Sequence, residues 1–251
     1  MKIVVAPDKF KGSLTAAEAA RAIANGVHPV LPHAQLILHP LADGGDGTAA
    51  VLYTALGGEW IERRVTGPLP KIPGSARYLW LARTRWAVIE MAAASGLALV
   101  PAEQRDPLRT TSYGTGELIR DALDRAARRL WLGVGGSATV DGGVGAAMAL
   151  GWKFLNAAGQ PVGLGGGALR KITRILPPAN ASHLPPSTCI EVLCDVDNPL
   201  CGPHGAARMF GPQKGATPAM VEELEDGLAH LARLVRDQLG RDFATLPGAG
   251  A

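Results

Sequence analysis

Residues 2–27 read KIVVAPDKFKGSLTAAEAARAIANGV, and this stretch decides the fold class. Its first part, Lys2–Ala6, is a short apolar run that is typical of a buried strand. After the loop Pro7–Leu14, Thr15 and Glu18 have the spacing of a capping box, which predicts that a helix fills the remainder. A strand, a loop and a helix in this order are the first part of a parallel β-α-β arrangement.

The same order returns directly downstream. An apolar run at Gln35–His39 predicts a strand, Pro40–Asp46 predicts a loop, and Gly47–Leu56 predicts a helix. Two consecutive units of this kind indicate right-handed crossovers and a mainly parallel sheet, which places the chain in the α/β class.

From Glu59 onward the pattern changes to short strands joined by Gly/Pro turns, which predicts a second, mixed α/β region. The predicted elements are strands at Glu59–Thr66, Arg77–Leu81, Trp86–Met91, Leu130–Val134 and Thr188–Cys194, and helices at Thr115–Ala127 and from Gly143 to Leu150. The last helix has the clearest pattern, with Thr217 as its predicted N-cap, Pro218 as its first residue and Gly240 as its end.

The composition excludes several classes of protein. With 251 residues, of which 47% are hydrophobic, the chain can form one large domain or two smaller ones. A net charge of +3 with scattered basic residues disfavours nucleic-acid binding. The three cysteines lack the spacing of a zinc site and are expected to be reduced thiols. No apolar stretch suits a signal peptide or a membrane span, so we expect a cytoplasmic protein with no membrane partner.

The loop Pro7–Leu14 is the first of four that combine glycine, hydroxyl and charge. Lys9, Lys11, Gly12 and Ser13 precede a helix N-terminus, where free N–H groups and the helix dipole favour an anion. The alternative is an ordinary strand-to-helix connection with solvated lysines.

The second loop, Ala42–Thr48, reads ADGGDGT and carries two carboxylates, Asp43 and Asp46. Metal–phosphate sites need oxygen ligands on a flexible backbone of this kind, although the spacing is not that of an EF-hand. The alternative is a turn stabilised by one aspartate with the other as a helix N-cap.

The third and fourth loops both precede predicted helices. Thr110–Glu117 contains four hydroxyls, and helix capping explains only one of them. Gly133–Gly143 reads GVGGSATVDGG and follows an apolar strand, which is where a backbone cradle for phosphate forms.

Two later segments add candidates for the same chemistry. Asp195, Asp197 and Asn198 follow a predicted strand, and open α/β sheets bind ligands at the carboxyl ends of their strands. The alternative there is a polar turn. Gln213 and Lys214 lie in a Gly/Pro loop before the last helix, where a lone lysine usually faces solvent.

Several enzyme classes are unsupported by motif. Gly133-x-Gly135-x-x-Ala138 fits the dinucleotide fingerprint loosely, but no acidic residue follows at the expected distance, so an NAD-linked oxidoreductase is a distant alternative. The chain has no Walker A motif and no G-x-S-x-G nucleophile elbow.

Taken together, eight segments resemble the type-1 glycerate kinase family. They occur in that family's order and span almost the whole chain: Ala6–Ala16, Pro40–Thr48, Val65–Leu69, Ala87–Leu97, Arg105–Ile119, Gly133–Gly143, Cys194–Gly202 and Phe210–Thr217. The resemblance implies ATP-dependent phosphorylation of D-glycerate, with 2-phosphoglycerate favoured over 3-phosphoglycerate as the product. The acceptor and ATP are then the partners, and the oligomeric state stays open, with a homodimer as one option.

The resemblance also implies a fold of two domains with the active site in the cleft between them. One is a Rossmann-like or flavodoxin-like parallel-sheet domain, and the other is a mixed α/β domain. We expect residues 1–62 to be the N-terminal half of the first and residues 63–251 to form the second. Because the chain stops at Pro-Gly-Ala-Gly-Ala, where family members continue, we expect the other half of the first domain to be missing and activity to be low.

Phosphoryl transfer requires positioning and charge neutralisation, which suggests roles for the loop residues. The catalytic candidates are Asp43, Asp195, Asp197, Lys11 and Asp141. The candidates for binding ATP are Gly12, Ser13, Gly44, Gly45, Thr48, Ser112, Thr115, Gly135, Gly136, Ser137 and Lys214. The candidate ligands of Mg²⁺ are Asp43, Asp46 and Asp195. The interpretation requires Lys11, Asp43, Ser137 and Asp195 to meet in one cleft.

Two positions depart from the family pattern. Asp46 stands where glutamate is commoner, which keeps the carboxylate, and Val140 stands where asparagine or threonine is usual, which removes a polar group. A second hypothesis is a non-catalytic remnant that binds anions through the same loops without turnover.

Overall fold

A computed structural model describes residues 1–70, 72–179 and 188–251. Its strands are β1 (Lys2–Val5), β2 (Gln35–Leu38), β3 (Glu59–Thr66), β4 (Pro73–Leu81), β5 (Trp86–Glu90), β6 (Arg129–Gly133), β7 (Lys153–Leu155), β8 (Arg174–Leu176) and β9 (Cys189–Leu193). Its α-helices are α1 (Ala16–Val27), α2 (Thr48–Leu56), α3 (Met91–Ser95), α4 (Tyr113–Asp124), α5 (Val144–Ala149), α6 (Ala206–Phe210) and α7 (Pro218–Leu239). None of the described helices is long and apolar enough to cross a membrane.

The described strands form three sheets. β1 and β2 pair in parallel, and β7 pairs with β8 in a small antiparallel ladder. The largest sheet has the order β3-β4-β5-β6-β9, antiparallel from β3 to β5 and parallel from β5 to β9. The predicted α/β class with a parallel and a mixed region is therefore confirmed. β3 pairs with β4 along its whole length, so the domain boundary expected after residue 62 falls inside a strand of the large sheet.

The N-termini of the first and last helices form as their sequences predict. The Thr15 hydroxyl accepts a hydrogen bond from the N–H group of Glu18, and the Glu18 carboxylate accepts one from the N–H group of Thr15. The Thr217 hydroxyl accepts a hydrogen bond from the N–H group of Met220 at the start of α7, and α7 ends at Gly240 in a left-handed conformation.

Helix α4 differs from its predicted range, Thr115–Ala127. It ends at Asp124 because Ala126 takes a left-handed conformation with φ of 60°, and the N–H group of Ala127 then bonds back to the Ala122 carbonyl. The sequence analysis did not predict α3, α6, β7 or β8, and its strand at Arg77–Leu81 begins earlier, at Pro73. The missed elements have only three to five residues, too few for a hydrophobic period to be recognised.

The large sheet has helices on both faces. Alternate strand residues point to opposite sides, so Tyr78 and Ile89 pack with Leu118 of α4, whereas Leu79 and Val88 pack with α2. A separate apolar cluster joins α7 to α5 and the β7–β8 ladder. The sheet therefore packs between α2, which begins in the Ala42–Thr48 segment, and α4, which begins in the Thr110–Glu117 segment.

The carboxyl ends of three neighbouring parallel strands lie level with one another. Glu90 at the end of β5 pairs with Gly133 at the end of β6, and Gly133 pairs with Leu193 at the end of β9. The segments that follow these strands therefore start side by side along one edge of the sheet.

Gly116 lies where α4 crosses α5, and a side chain there would collide with the backbone carbonyl of Ala146. We predict that Gly116→Val lowers the free energy of unfolding by about 1–3 kcal/mol, measured by urea denaturation. The matched control is Gly26→Ala in α1, where no atom lies within 4 Å of an added Cβ. That change should raise stability by about 0.5–1 kcal/mol. Equal effects of the two substitutions would contradict the packing of α4 on α5.

Candidate active site

The Ala42–Thr48 loop lies against the carboxyl edge of the large sheet through glycine contacts. A Cβ atom on Gly44 would lie 2.8 Å from the carbonyl oxygen of Leu193, and one on Gly135 would lie 2.8 Å from the Cα atom of Gly45. A Cβ atom on Gly133 would collide with the Gly44 carbonyl oxygen. Only residues without a side chain allow two backbones to approach this closely. The loop that follows β2 is thereby joined to the loops that follow β6 and β9.

Lys9 is the lysine of the first loop that reaches this edge. Its Nζ atom lies 2.8 Å and 2.9 Å from the two carboxylate oxygens of Asp43. Partial burial alone would raise the pKa of Asp43, but the hydrogen bonds from Lys9 and from the N–H group of Gly45 outweigh it, so the pKa lies below its usual value. The sequence analysis selected Lys11 instead. The structure places Lys11 at the surface, with no ion pair among the described residues.

Asp46 points from the Ala42–Thr48 loop toward the Gly133–Gly143 segment, called the glycine-rich loop below. A Cβ atom on Gly136 would lie 2.8 Å from the Asp46 Oδ1 atom. This oxygen is buried and accepts no hydrogen bond from any described residue. A buried carboxylate oxygen without a donor is costly, which suggests that a ligand or cation completes it.

The glycine-rich loop presents free backbone donors. The loop is held to the end of α3 and the segment after it, since the Gly136 carbonyl accepts a hydrogen bond from the N–H group of Leu97 and the N–H group of Ala138 donates one to the Ser95 carbonyl. Gly136 has a φ of +75°. Within the described part of the chain, the N–H groups of residues 135–137 donate to no acceptor. Successive free N–H groups around a left-handed residue form a concave anion site.

Lys214 lies beneath this loop and is almost fully buried, with 6% of its surface exposed. Its Nζ atom donates to the Ser137 hydroxyl at 2.8 Å and to the Thr139 carbonyl at 2.7 Å. Burial lowers the pKa of Lys214 to about 8, although the negative charge of Asp141 opposes this shift. Sequence reasoning found Lys214, but not its position inside the protein.

Asp141 holds two loops together inside the protein. It is 2% exposed, and its Oδ2 atom accepts hydrogen bonds at 2.8 Å from both the N–H group and the hydroxyl of Ser112. Its Oδ1 atom accepts another from the N–H group of Gly143. These contacts enclose Asp141 within the protein, and its catalytic role stays a prediction.

Two further hydroxyls that were predicted to bind ATP also bond within the protein. Thr115 donates to the buried hydroxyl of Ser95 at 2.9 Å, and Thr48 donates to the Gly45 carbonyl at 2.7 Å. Thr48 and Thr115 are both buried. Like Ser112 they are engaged inside the protein, and their roles in binding ATP stay predictions.

Asp195 and Asp197 follow β9 and are exposed at the same edge. Asp195 is two residues beyond Leu193, whose carbonyl oxygen faces Gly44. The structure therefore brings together the loops of Asp43, Ser137 and Asp195. Gly12 and Ser13 are exposed in the loop that also carries Lys9.

Glu90 is a residue of this edge that the sequence analysis missed. Its Oε1 atom accepts a hydrogen bond of 2.7 Å from the N–H group of Ala49 at the start of α2. Burial raises the pKa of Glu90 above its usual value and the charge of Asp46 adds to this shift, although the N–H group of Ala49 opposes it. A carboxylate that ends an apolar strand, as in WAVIE, is the feature that could have identified it.

Comparison with known proteins identifies the family. The model of the glycerate kinase family matches residues 3–251. The chain belongs to the glycerate kinase family. It is 49% identical to a glycerate kinase of Halalkalibacterium halodurans over 99% of its own length, and 49% identical to the glycerate 2-kinase of Escherichia coli over all of it. It spans 65% of the length of each of these two relatives.

A solved structure of a similar protein has a similar fold. A crystal structure from Salmonella typhimurium LT2, of a protein described as glycerate kinase 2, matches with a TM-score of 0.86 and 47% identity. The match covers 100% of this chain and 67% of that one. Membership in the glycerate kinase family, which the sequence analysis stated as a resemblance, is confirmed.

The buried ammonium of Lys214 gives a testable dependence of stability on pH. The unfolded chain, with an ordinary lysine pKa of 10.5, binds more protons than the native state between about pH 8 and pH 10.5. As the pH rises across this window, the free energy of unfolding of the wild type should therefore rise by up to about 3 kcal/mol relative to that of Lys214→Met. Urea denaturation at a series of pH values measures the difference, with Lys11→Met as the surface control. A difference that does not change with pH would contradict the burial of the charge.

Proposed function

We propose that the protein transfers the terminal phosphoryl group of ATP to a hydroxyl of D-glycerate at the edge where these loops meet. The observation that carries the proposal is the anion cradle at residues 135–137, which lies over the buried ammonium of Lys214 and beside the unpaired oxygen of Asp46. The family match and the names of the relatives favour glycerate as the acceptor.

The cradle suits the phosphates of ATP. Phosphoryl transfer depends on positioning and on neutralising the charge of the transferred group, and fixed N–H donors do both without reorganising. Lys214 supplies a positive charge below the cradle and holds the Ser137 hydroxyl with one of its hydrogen bonds. Because this bond uses the oxygen of Ser137 as acceptor, the hydroxyl proton stays available to a phosphate oxygen.

Asp46 fits a role in holding Mg²⁺. Among the described residues, no three acidic, histidine or cysteine side chains are grouped so as to hold a metal ion alone. Magnesium in kinases is commonly held by only one or two carboxylates together with the substrate phosphates. The free Oδ1 atom of Asp46 meets that requirement, whereas both oxygens of Asp43 are engaged by Lys9. When bound, Mg²⁺ would neutralise charge on the phosphates, and Asp195 is the second carboxylate at this edge.

The exposed carboxylate of Asp197 is the proposed acceptor of the glycerate proton, because Asp195 is assigned to the metal ion. Asp195 and Asp197 are accessible at the strand end, whereas Asp141 is enclosed. The exposed ammonium of Lys11 and the N–H group of Gly12 would then bind the glycerate carboxylate, since the N–H group of Ser13 already donates to the Phe10 carbonyl. We assign the hydroxyl at C2 as the acceptor, because one relative is named a glycerate 2-kinase. With ATP as co-substrate, the cytoplasm is the proposed location.

The decisive assay is ADP formation that depends on both glycerate and Mg²⁺. We predict that Asp46→Asn lowers kcat by at least about tenfold, since it removes the charge of the free oxygen beside the cradle. Asp237→Asn is the matched control, because Asp237 is exposed on α7 and, among the described residues, forms an ion pair only with its neighbour Arg236. Unchanged turnover in Asp46→Asn would remove this residue from the site. Binding of ATP without any glycerate-dependent ADP formation would favour the non-catalytic alternative.

A further inference from the structure

Glu90 connects the large sheet to α2, the helix that follows the loop of Asp43 and Asp46, which is called the acidic loop below. It is the last residue of β5 and pairs with Gly133, where the loop that forms the anion cradle begins. Its carboxylate extends from the sheet to the N–H group of Ala49 in the first turn of α2. One side chain therefore contacts the elements that carry both halves of the proposed site.

Helix α2 depends on this contact for its N-terminal cap. The residue at its N-cap position is Gly47, which has φ of 94° and no side chain to accept a hydrogen bond. The hydroxyl of Thr48 is already engaged with Gly44 and Gly45. The first N–H groups of a helix need acceptors from elsewhere, and a carboxylate is favoured there by the helix dipole. Glu90 provides this acceptor from the neighbouring strand.

The position of Asp46 follows from the same contact. Asp46 is separated from the first residue of α2 only by Gly47, and its Oδ1 atom lies against Gly136 of the cradle. Because only one residue separates Asp46 from α2, the fixed end of the helix limits where Asp46 can lie. We infer that Glu90 is a positioning residue of the site, whose carboxylate fixes the N-terminus of α2 so that Asp46 faces the phosphate cradle. This inference rests on the proposed function.

The test compares Glu90→Ala with Glu117→Ala. Glu117 is a matched control because its carboxylate also accepts a backbone hydrogen bond, at 2.6 Å from the N–H group of Thr66, and it is not part of the proposed site. In Glu90→Ala the Mg²⁺ concentration for half-maximal turnover should rise by about tenfold and kcat should fall, while KM for glycerate changes by less than about threefold. Glu117→Ala should leave the Mg²⁺ requirement unchanged.

Two further variants make the test independent of folding defects. Glu90→Gln keeps an acceptor oxygen for Ala49 and should restore most of the wild-type Mg²⁺ requirement. Glu90→Asp withdraws the carboxylate by one methylene group and should raise the requirement even if Glu90→Ala does not fold. The inference would be overturned if the Mg²⁺ concentration for half-maximal turnover stayed unchanged in every variant of Glu90 that folds. It would also be overturned if this concentration rose as much in Glu117→Ala as in Glu90→Ala.

A binding measurement separates this inference from the proposed function. Electron paramagnetic resonance with Mn²⁺ and ATP reports metal–nucleotide affinity without turnover, and Glu90→Asp should weaken that affinity relative to wild type and to Glu117→Ala. A wild-type chain that binds Mn²⁺ and ATP but forms no ADP with glycerate would refute the proposed activity and leave the role of Glu90 measurable. Equal affinities in all variants, or no binding by the wild type, would overturn the positioning role.

Discussion

The whole site depends on backbone contact between two glycine pairs. Gly44 and Gly45 lie directly on Gly133 and Gly135, at distances that a Cβ atom would prevent. The parallel register of β5, β6 and β9 places three strand ends level, but the acidic loop comes from a different sheet. Without side chains at these positions, that loop can lie against the edge and bring its carboxylates to the cradle. The glycine content of the sequence thus serves a specific contact as well as flexible turns.

The charges around this contact alternate in sign over short distances. Lys9 neutralises Asp43, and the buried ammonium of Lys214 lies below a loop of free N–H donors that faces Asp46. An isolated buried lysine would be costly, so the protein retains it at the expense of stability and surrounds it with two acceptors. A negatively charged polyphosphate together with a divalent cation would satisfy both the donors and the unpaired carboxylate oxygen. The arrangement therefore favours phosphate chemistry over the hydride transfer of an NAD-linked enzyme.

The elements were more predictable from the sequence than the roles of individual side chains. The capping box at Thr15 and the apolar stripe of the last helix are local patterns, and both elements form where predicted. The loops were also located, because glycine and hydroxyl clusters stand out beside apolar strands. Which side chain faces the cleft depends on three-dimensional packing. Lys9, and not the predicted catalytic candidate Lys11, pairs with Asp43, and the hydroxyl of Ser112 bonds to the buried Asp141.

The central claim is that the acidic loop and the glycine-rich loop form one binding site for ATP and its metal ion. Amide chemical shifts in a ¹⁵N-labelled chain test it directly, during titration with Mg²⁺ and a non-hydrolysable ATP analogue. The account predicts that the amides of residues 44–47 and 133–137 shift together, with the same saturation concentration. Shifts confined to one loop, or saturation of the two loops at clearly different concentrations, would contradict it.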